Sequence, residues 1–399
     1  MSGEAQGRVV YLARMLGPDD RRPLAWQWPC ARMMLMAVVG FSGFGVTLSS
    51  LPAHLASAGN TAASAGATTT VLLVATVLFQ PVVPALLHRL STPATATIGL
   101  IALGLPAPLL IWVSSGAGLY AICVVRGIGF AVFTVAGAFM ASEVAPPGRE
   151  GEAAGLYGLA AAIPNVITVP LGVLLLHTPG FWLVALIAGL PAVGATLGWG
   201  GGWRRAAPDP AQATPTSSAR RAITRSLLPA SVLYPITIAA GAVVTILPIV
   251  RSELLATIGL LVFSIATALA RWQAGRQVDQ RGRAWLLPGA CALAVAGLLT
   301  LASGLSGHSN GVVLVACAVL GLGYGAVQCL TLVYSFARTT ARERPVASAV
   351  WNGAFDAGTA TGAVLIGVLT ATGMGWWGAF AVLAILAAAV IPAAISSGR

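Results

Sequence analysis

The stretch Gly275-Arg276-Gln277-Val278-Asp279-Gln280-Arg281-Gly282-Arg283 joins two long apolar segments, one ending near Trp272 and the next beginning near Trp285. It is too short to be a domain and too charged to lie in hydrocarbon. Two glycines bracket one carboxylate, Asp279, among Arg276, Arg281 and Arg283, and this pattern predicts a tight polar turn. The flanking segments are each long enough to cross a bilayer as a helix, since about 20 residues span roughly 30 Å. The same alternation of long apolar segment and short polar break recurs along the chain, and that recurrence decides the fold class.

Composition agrees. The 399 residues are 57% hydrophobic and only 8% charged, with a mean hydropathy of +0.86. A soluble domain carries about 25% charged residues, so this chain has too little polar surface to face water. The 47 glycines and 24 prolines suit helices that pack closely through small residues inside a bilayer. The expected class is an all-α membrane protein. Twelve spans are expected, at 33–56, 66–87, 94–114, 117–142, 153–176, 180–200, 227–250, 254–272, 285–305, 311–336, 346–371 and 375–395.

All 22 basic residues are arginine, and the net charge is +11. A nucleic-acid partner would require a clustered basic face. Here every arginine except Arg126 and Arg251 falls in a terminal tail or in alternate breaks between spans. That asymmetry is the positive-inside pattern and places both termini in the cytoplasm. The arginine-only basic set, with abundant Ala, Gly and Pro, points to a GC-rich bacterial genome, so the expected location is a bacterial inner membrane. The break at 203–226, rich in Pro, Ser, Thr and Arg, reads as a flexible linker. It divides the chain into a cytoplasmic tail (1–32), a six-helix bundle (33–202), the linker, and a second six-helix bundle (227–395).

The two halves echo one another. Arg126-Gly127-Ile128-Gly129-Phe130 aligns with Leu320-Gly321-Leu322-Gly323-Tyr324, and the same offset sets Tyr157 on Trp351. The opening stretch pairs with Pro84-Ala85-Leu86-Leu87-His88-Arg89-Leu90-Ser91-Thr92. Two six-span repeats joined by a linker are a plan that binds substrate near the bilayer midplane, between the repeats.

On these residues the chain resembles the major facilitator superfamily. That family's loop between its second and third spans, repeated between the eighth and ninth, runs Gly-x-x-x-Asp-Arg-x-Gly-Arg-Arg/Lys. Gly275, Asp279, Gly282 and Arg283 match it, with Gln280 in place of the first arginine. In the first half Arg89 is kept, while Pro84, His88 and Ser91 replace the expected Gly, Asp and Gly. Arg126 with Gly129 is similar to the family's fourth-span Arg-x-x-x-Gly with a shifted glycine, and Pro164 and Pro170 echo a fifth-span motif of its efflux members. The resemblance implies two gating loops, built from Gly275, Asp279, Arg281, Gly282 and Arg283 in one half and His88 and Arg89 in the other.

Asp356 is the one carboxylate placed deep in a span. It reads either as a proton- or substrate-binding group or as a packing hydrogen bond on a small-residue face. A charge at that depth costs about 2.5–3.5 kcal/mol on insertion scales, so either way it faces the bundle interior. Arg126 stays charged, and it either serves an anion or a carboxylate or fixes helices together. Tyr324 and Gln328, one helical turn apart, with Thr331, Trp351, Asn352 and, in the fifth span, Asn165, form either a cavity wall for an amphipathic ligand or ordinary interhelical bonds. The cysteines Cys30, Cys123, Cys291, Cys317 and Cys329 lack metal-ligand spacing, and no Walker loop or nucleophile motif occurs. No metal, cofactor or enzyme activity is expected. The expected function is proton-coupled efflux of a hydrophobic or amphipathic small molecule by a monomer, with import of a sugar, amino acid or organic anion as the alternative.

Overall fold

The computed structural model describes residues 23–60, 62–177, 180–199, 216–281 and 285–397. Among these every regular element is a helix. Eleven helical segments are long and apolar enough to cross a membrane, from Trp28–Ser57 to Gly375–Ser397. The helix Glu150–His177 occupies the fifth place in the order, completing the expected twelve spans.

Several ends differ from expectation, for local reasons. The first helix starts at Trp28, with Pro29 in its opening turn, where a missing N–H costs nothing. Arg32, expected in the tail, is therefore inside the first span. It is 3% exposed and donates from Nε to Leu197 O (2.9 Å) and from a terminal nitrogen to Trp199 O (2.5 Å). These are the open carbonyls at the end of the sixth span, where a cation also offsets the helix dipole. Arg338 does the same for Ser396 O at the end of the twelfth span (2.9 Å). The seventh span begins at Thr216, so 216–226, expected as linker, is helical, and Ala222 and Ser226 in it are buried. Residues 200–215 lie outside the described residues.

The glycine pairs show why the repeat works. Residues i and i+2 lie on nearly opposite faces of a helix, so each glycine of a pair meets a different neighbour. A methyl on Gly127 would strike Leu72 of the second span, and one on Gly129 would strike the backbone of Ala102 and Leu103 in the third. In the other half Gly321 meets Phe263 of the eighth span and Gly323 meets Ala294 of the ninth. The absent side chains let backbones approach, which is how helices associate where no hydrophobic force separates lipid from protein. The fourth and tenth spans are thus the posts of their respective halves.

The halves meet chiefly through the fifth span (Glu150–His177) and the eighth (Glu253–Arg281). Gly151, Gly155 and Gly158 form one stripe of the fifth helix, pressed against Gly275, Trp272 and Arg271. Smaller contacts join the second and fourth spans to the eleventh, as where Ser348 donates to Val135 O (2.8 Å). These atomic contacts run from mid-depth to the arginine-rich end of the bundle.

Candidate functional site

The stretch that opened the reading is not a turn as far as Arg281, because the eighth helix continues through it. Gly282 and Arg283 lie outside the described residues, as does the side chain of Arg281. Among the described residues, Asp279 bonds to backbone amides and to no arginine. Its Oδ1 accepts the Gly151 N–H at 2.9 Å and its Oδ2 the Glu152 N–H at 2.8 Å. These are first-turn amides of the fifth helix, which have no acceptor within their own helix. A carboxylate there also meets the positive end of the helix dipole. Asp279 therefore latches the second half to the first at the arginine-rich end, and Gly275 permits it by letting the backbones of residues 151 and 275 touch. The proposed first-half counterpart is different. Residues Val83–Arg89 are helical, with His88 and Arg89 in the last turn, and Ser91 caps the third span by accepting the Ala94 N–H.

Pro81 and Pro84 break the second span. Neither supplies an N–H, so the ladder loosens into a 3-10 turn over Gln80–Val82. Gln80, the first residue of that turn, is 1% exposed and reaches across to the eleventh span, where Nε2 donates to Asp356 Oδ2 at 2.5 Å. This hydrogen bond joins the two halves at mid-depth. Asp356 lies within electrostatic reach of the Tyr157 and Tyr324 hydroxyls.

Arg126 does not meet Asp356. Nε donates to Leu103 O (3.2 Å), and a terminal nitrogen donates to Gly43 O (3.1 Å) and Thr47 Oγ1 (3.0 Å). All its partners belong to the first half, between the first, third and fourth spans.

Of the expected cavity residues, several come together in the second half. Phe263 stacks on Tyr324 (5.4 Å between centroids), Tyr324 on Phe355 (6.5 Å) and Phe355 on Trp351 (5.7 Å), all within 27° of parallel. Trp351 Nε1 donates to Thr331 Oγ1 (3.0 Å). Asn352 turns back to its own helix at Ser348 O (2.9 Å). Gln328 is 1% exposed with its carbonyl oxygen unbonded. Asn165 lies apart, donating to Ala161 O (3.1 Å) and abutting Gly45 of the first span.

One residue escaped the sequence reading. Arg271 was counted among the arginines of the cytoplasmic break because Trp272 marked the end of the span. The helix in fact runs nine residues past Trp272, to Arg281. Arg271 is 7% exposed, and its guanidinium lies over Gly158 of the other half. Tyr157, Tyr324 and Cys329 are its electrostatic neighbours. The available signal was the absence of any turn residue between Trp272 and Gly275.

A model of the family described as Major Facilitator Superfamily matches residues 33–337 and 236–396. No curated protein sequence matches the chain. Among solved structures, the fold is similar to that of the human organic anion transporter MFSD10 (TETRAN), with a TM-score of 0.74 and 14% identity over 94% of this chain and 100% of that one. It is also similar to the transporter FucP in its outward conformation, with a TM-score of 0.75 and 15% identity over 93% and 99% of the two chains. A third similar structure is that of the E. coli fucose:proton symporter, FucP (TM-score 0.74, 14% identity, 94% and 100% covered). At such identities the likeness speaks for fold alone. With the family model spread over nearly its whole length, the chain belongs to the Major Facilitator Superfamily and is a multi-pass membrane transporter.

Proposed function

We propose that the protein exports an amphipathic small molecule in exchange for protons, with Asp356 as the proton-carrying group. The observation behind this reading is the Gln80–Asp356 hydrogen bond, which ties the two halves at mid-depth. A hydrogen bond to an ionised carboxylate is roughly twice as strong as one to its neutral form. Protonation of Asp356 loosens that tie, and deprotonation restores it. Proton occupancy is thereby linked to the rocking of one half against the other, which alternating access requires. The stacked rings of Phe263, Tyr324, Phe355 and Trp351 favour a solute with an apolar, aromatic part. If the arginine-rich end is cytoplasmic, the Asp279 latch closes the inner side.

The alternative, import of an organic anion, differs in direction and draws support from Arg271. Proteoliposomes with a pH gradient imposed in either sense, loaded with labelled aromatic amines and aromatic carboxylates, separate the two. Export up a gradient that is acidic outside, lost in Asp356→Asn, is the expected result. Equal movement by Asp356→Asn at every gradient would remove Asp356 from coupling. Accumulation of solute inside together with protons would establish import.

A further inference from the structure

Three arginines are buried among the described residues, Arg32, Arg126 and Arg271. The first two end on carbonyl oxygens of neighbouring helices. Arg271 ends on none. No hydrogen bond or ion pair to its side chain is found among the described residues, its Nε is buried and unbonded, and its electrostatic neighbours, Tyr157, Tyr324 and Cys329, carry no carboxylate. An unpaired buried charge is destabilising. Gly158 leaves room for the guanidinium, since any side chain there would overlap it.

The surroundings are specific. Tyr157 hangs from the first half, with its hydroxyl donating to Thr134 O (3.3 Å). Tyr324 hangs from the second, held between the Phe263 and Phe355 rings. Both are neutral phenols and cannot balance the charge of the guanidinium, so that charge is open to an anion from outside the protein. A guanidinium presents a planar fork that matches a carboxylate in two parallel bonds. The ring ladder begins beside it.

We infer that Arg271 holds the carboxylate of the transported solute, an amphipathic aromatic carboxylic acid whose apolar part lies along the Phe263–Tyr324–Phe355–Trp351 rings. This rests on the transporter reading and names its substrate class. The same anion chemistry is available from chloride, and the ring ladder favours the organic acid.

The test uses the full-length protein in nanodiscs, with thermal unfolding as the readout and no pH gradient. The probes are phenylacetate, 4-phenylbutyrate and 1-naphthylacetate, each against its primary amide, together with sodium chloride alone. At least one acid is expected to raise the melting temperature where its amide does not. Arg271→Gln should weaken that acid about 10- to 100-fold, the loss of a charge-assisted bond pair, and Arg271→Lys should keep part of the affinity. Arg271→Gln should also raise the melting temperature of the ligand-free protein, because it removes an unpaired buried charge. A structural arginine would do the reverse. Acids no better than amides, chloride as effective as every acid, or a ligand-free Arg271→Gln that melts lower would each overturn the inference. Asp356→Asn, measured both in this assay and in the proteoliposome flux assay, keeps the two readings apart. If it still binds the acid through Arg271 while proton-driven flux is unaffected by it, the coupling role fails and the anion site stands.

Discussion

Removing the Asp279 carboxylate should open the arginine-rich end of the bundle without unfolding it. Asp279 accepts two backbone N–H groups of the fifth helix, at 2.9 and 2.8 Å. Hydrogen bonds to a charged group contribute about 1.5–3 kcal/mol each. Asp279 is only half-buried, so water recovers part of this and the lower end applies, about 3 kcal/mol for the pair. That corresponds to roughly 150-fold in the equilibrium between closed and open arginine-rich ends. The glycine contacts at 151, 155 and 158 remain in Asp279→Ala, and so does each half's own core, so the fold survives. Asp279→Asn keeps one side-chain acceptor and should fall between. Spin labels at Pro147→Cys and Gln280→Cys, both exposed positions, read the separation directly, because the five native cysteines are buried. The wild type should show one short distance, and Asp279→Ala a second, longer population with slower transport. His88→Ala, at the position where the first half carries no carboxylate, should change both measurements far less than Asp279→Ala. An unchanged distance distribution in Asp279→Ala, or equal transport losses for the two variants, would refute the latch.

Arg126→Gln should lower the melting temperature, opposite in sign to Arg271→Gln, because it removes the bonds to Leu103 O, Gly43 O and Thr47 Oγ1; about 2–3 kcal/mol is expected, measured by thermal unfolding, with solute affinity of the folded protein unchanged. Gly129→Ala and Gly323→Ala should each cost about 1–3 kcal/mol by overpacking against neighbouring backbone, whereas Gly66→Ala, facing open space, should stay within about 0.5 kcal/mol. Glu343 lies in the break before the eleventh span, where the Thr340 N–H, and after it Arg225 at 2.9 Å, hold its carboxyl below the usual glutamate range. A depressed folded-state pKa contributes stability above the ordinary glutamate value and loses it as pH falls through the folded value. Glu343→Gln should therefore melt lower than wild type at pH 7, and the gap should close as the pH is brought down through the acid range.

Much of the architecture was legible because a bilayer leaves few options. Long apolar segments must be helices, and the spacing of Arg126-Gly127-Ile128-Gly129 against Leu320-Gly321-Leu322-Gly323 showed that one packing unit occurs twice. Helix ends were less legible. Arg32 and Arg271 look like loop residues by charge, yet each lies inside a helix. Arg32 finds carbonyls on a span that is distant in the sequence, and Arg271 occupies space left by glycines of the opposite half. The candidate site was legible residue by residue and not as an arrangement. Asp356, Tyr324, Trp351 and Thr331 were visible as polar or aromatic intrusions, while Gln80 and Arg271, which complete the junction between the halves, were not.

Composition and periodicity by themselves determined that this chain is a twelve-span helical bundle built from two like halves, because hydrophobicity and small-residue spacing act locally along each helix. Only the tertiary structure decided which charges are satisfied. Asp279 spends its charge on the amides of the fifth helix, Arg126 on carbonyls of its own half, and Asp356 on Gln80 across the interface. Arg271 forms no hydrogen bond or ion pair among the described residues. Pairing of that kind depends on which helices come within hydrogen-bond reach, a property of the packed bundle that no single segment carries.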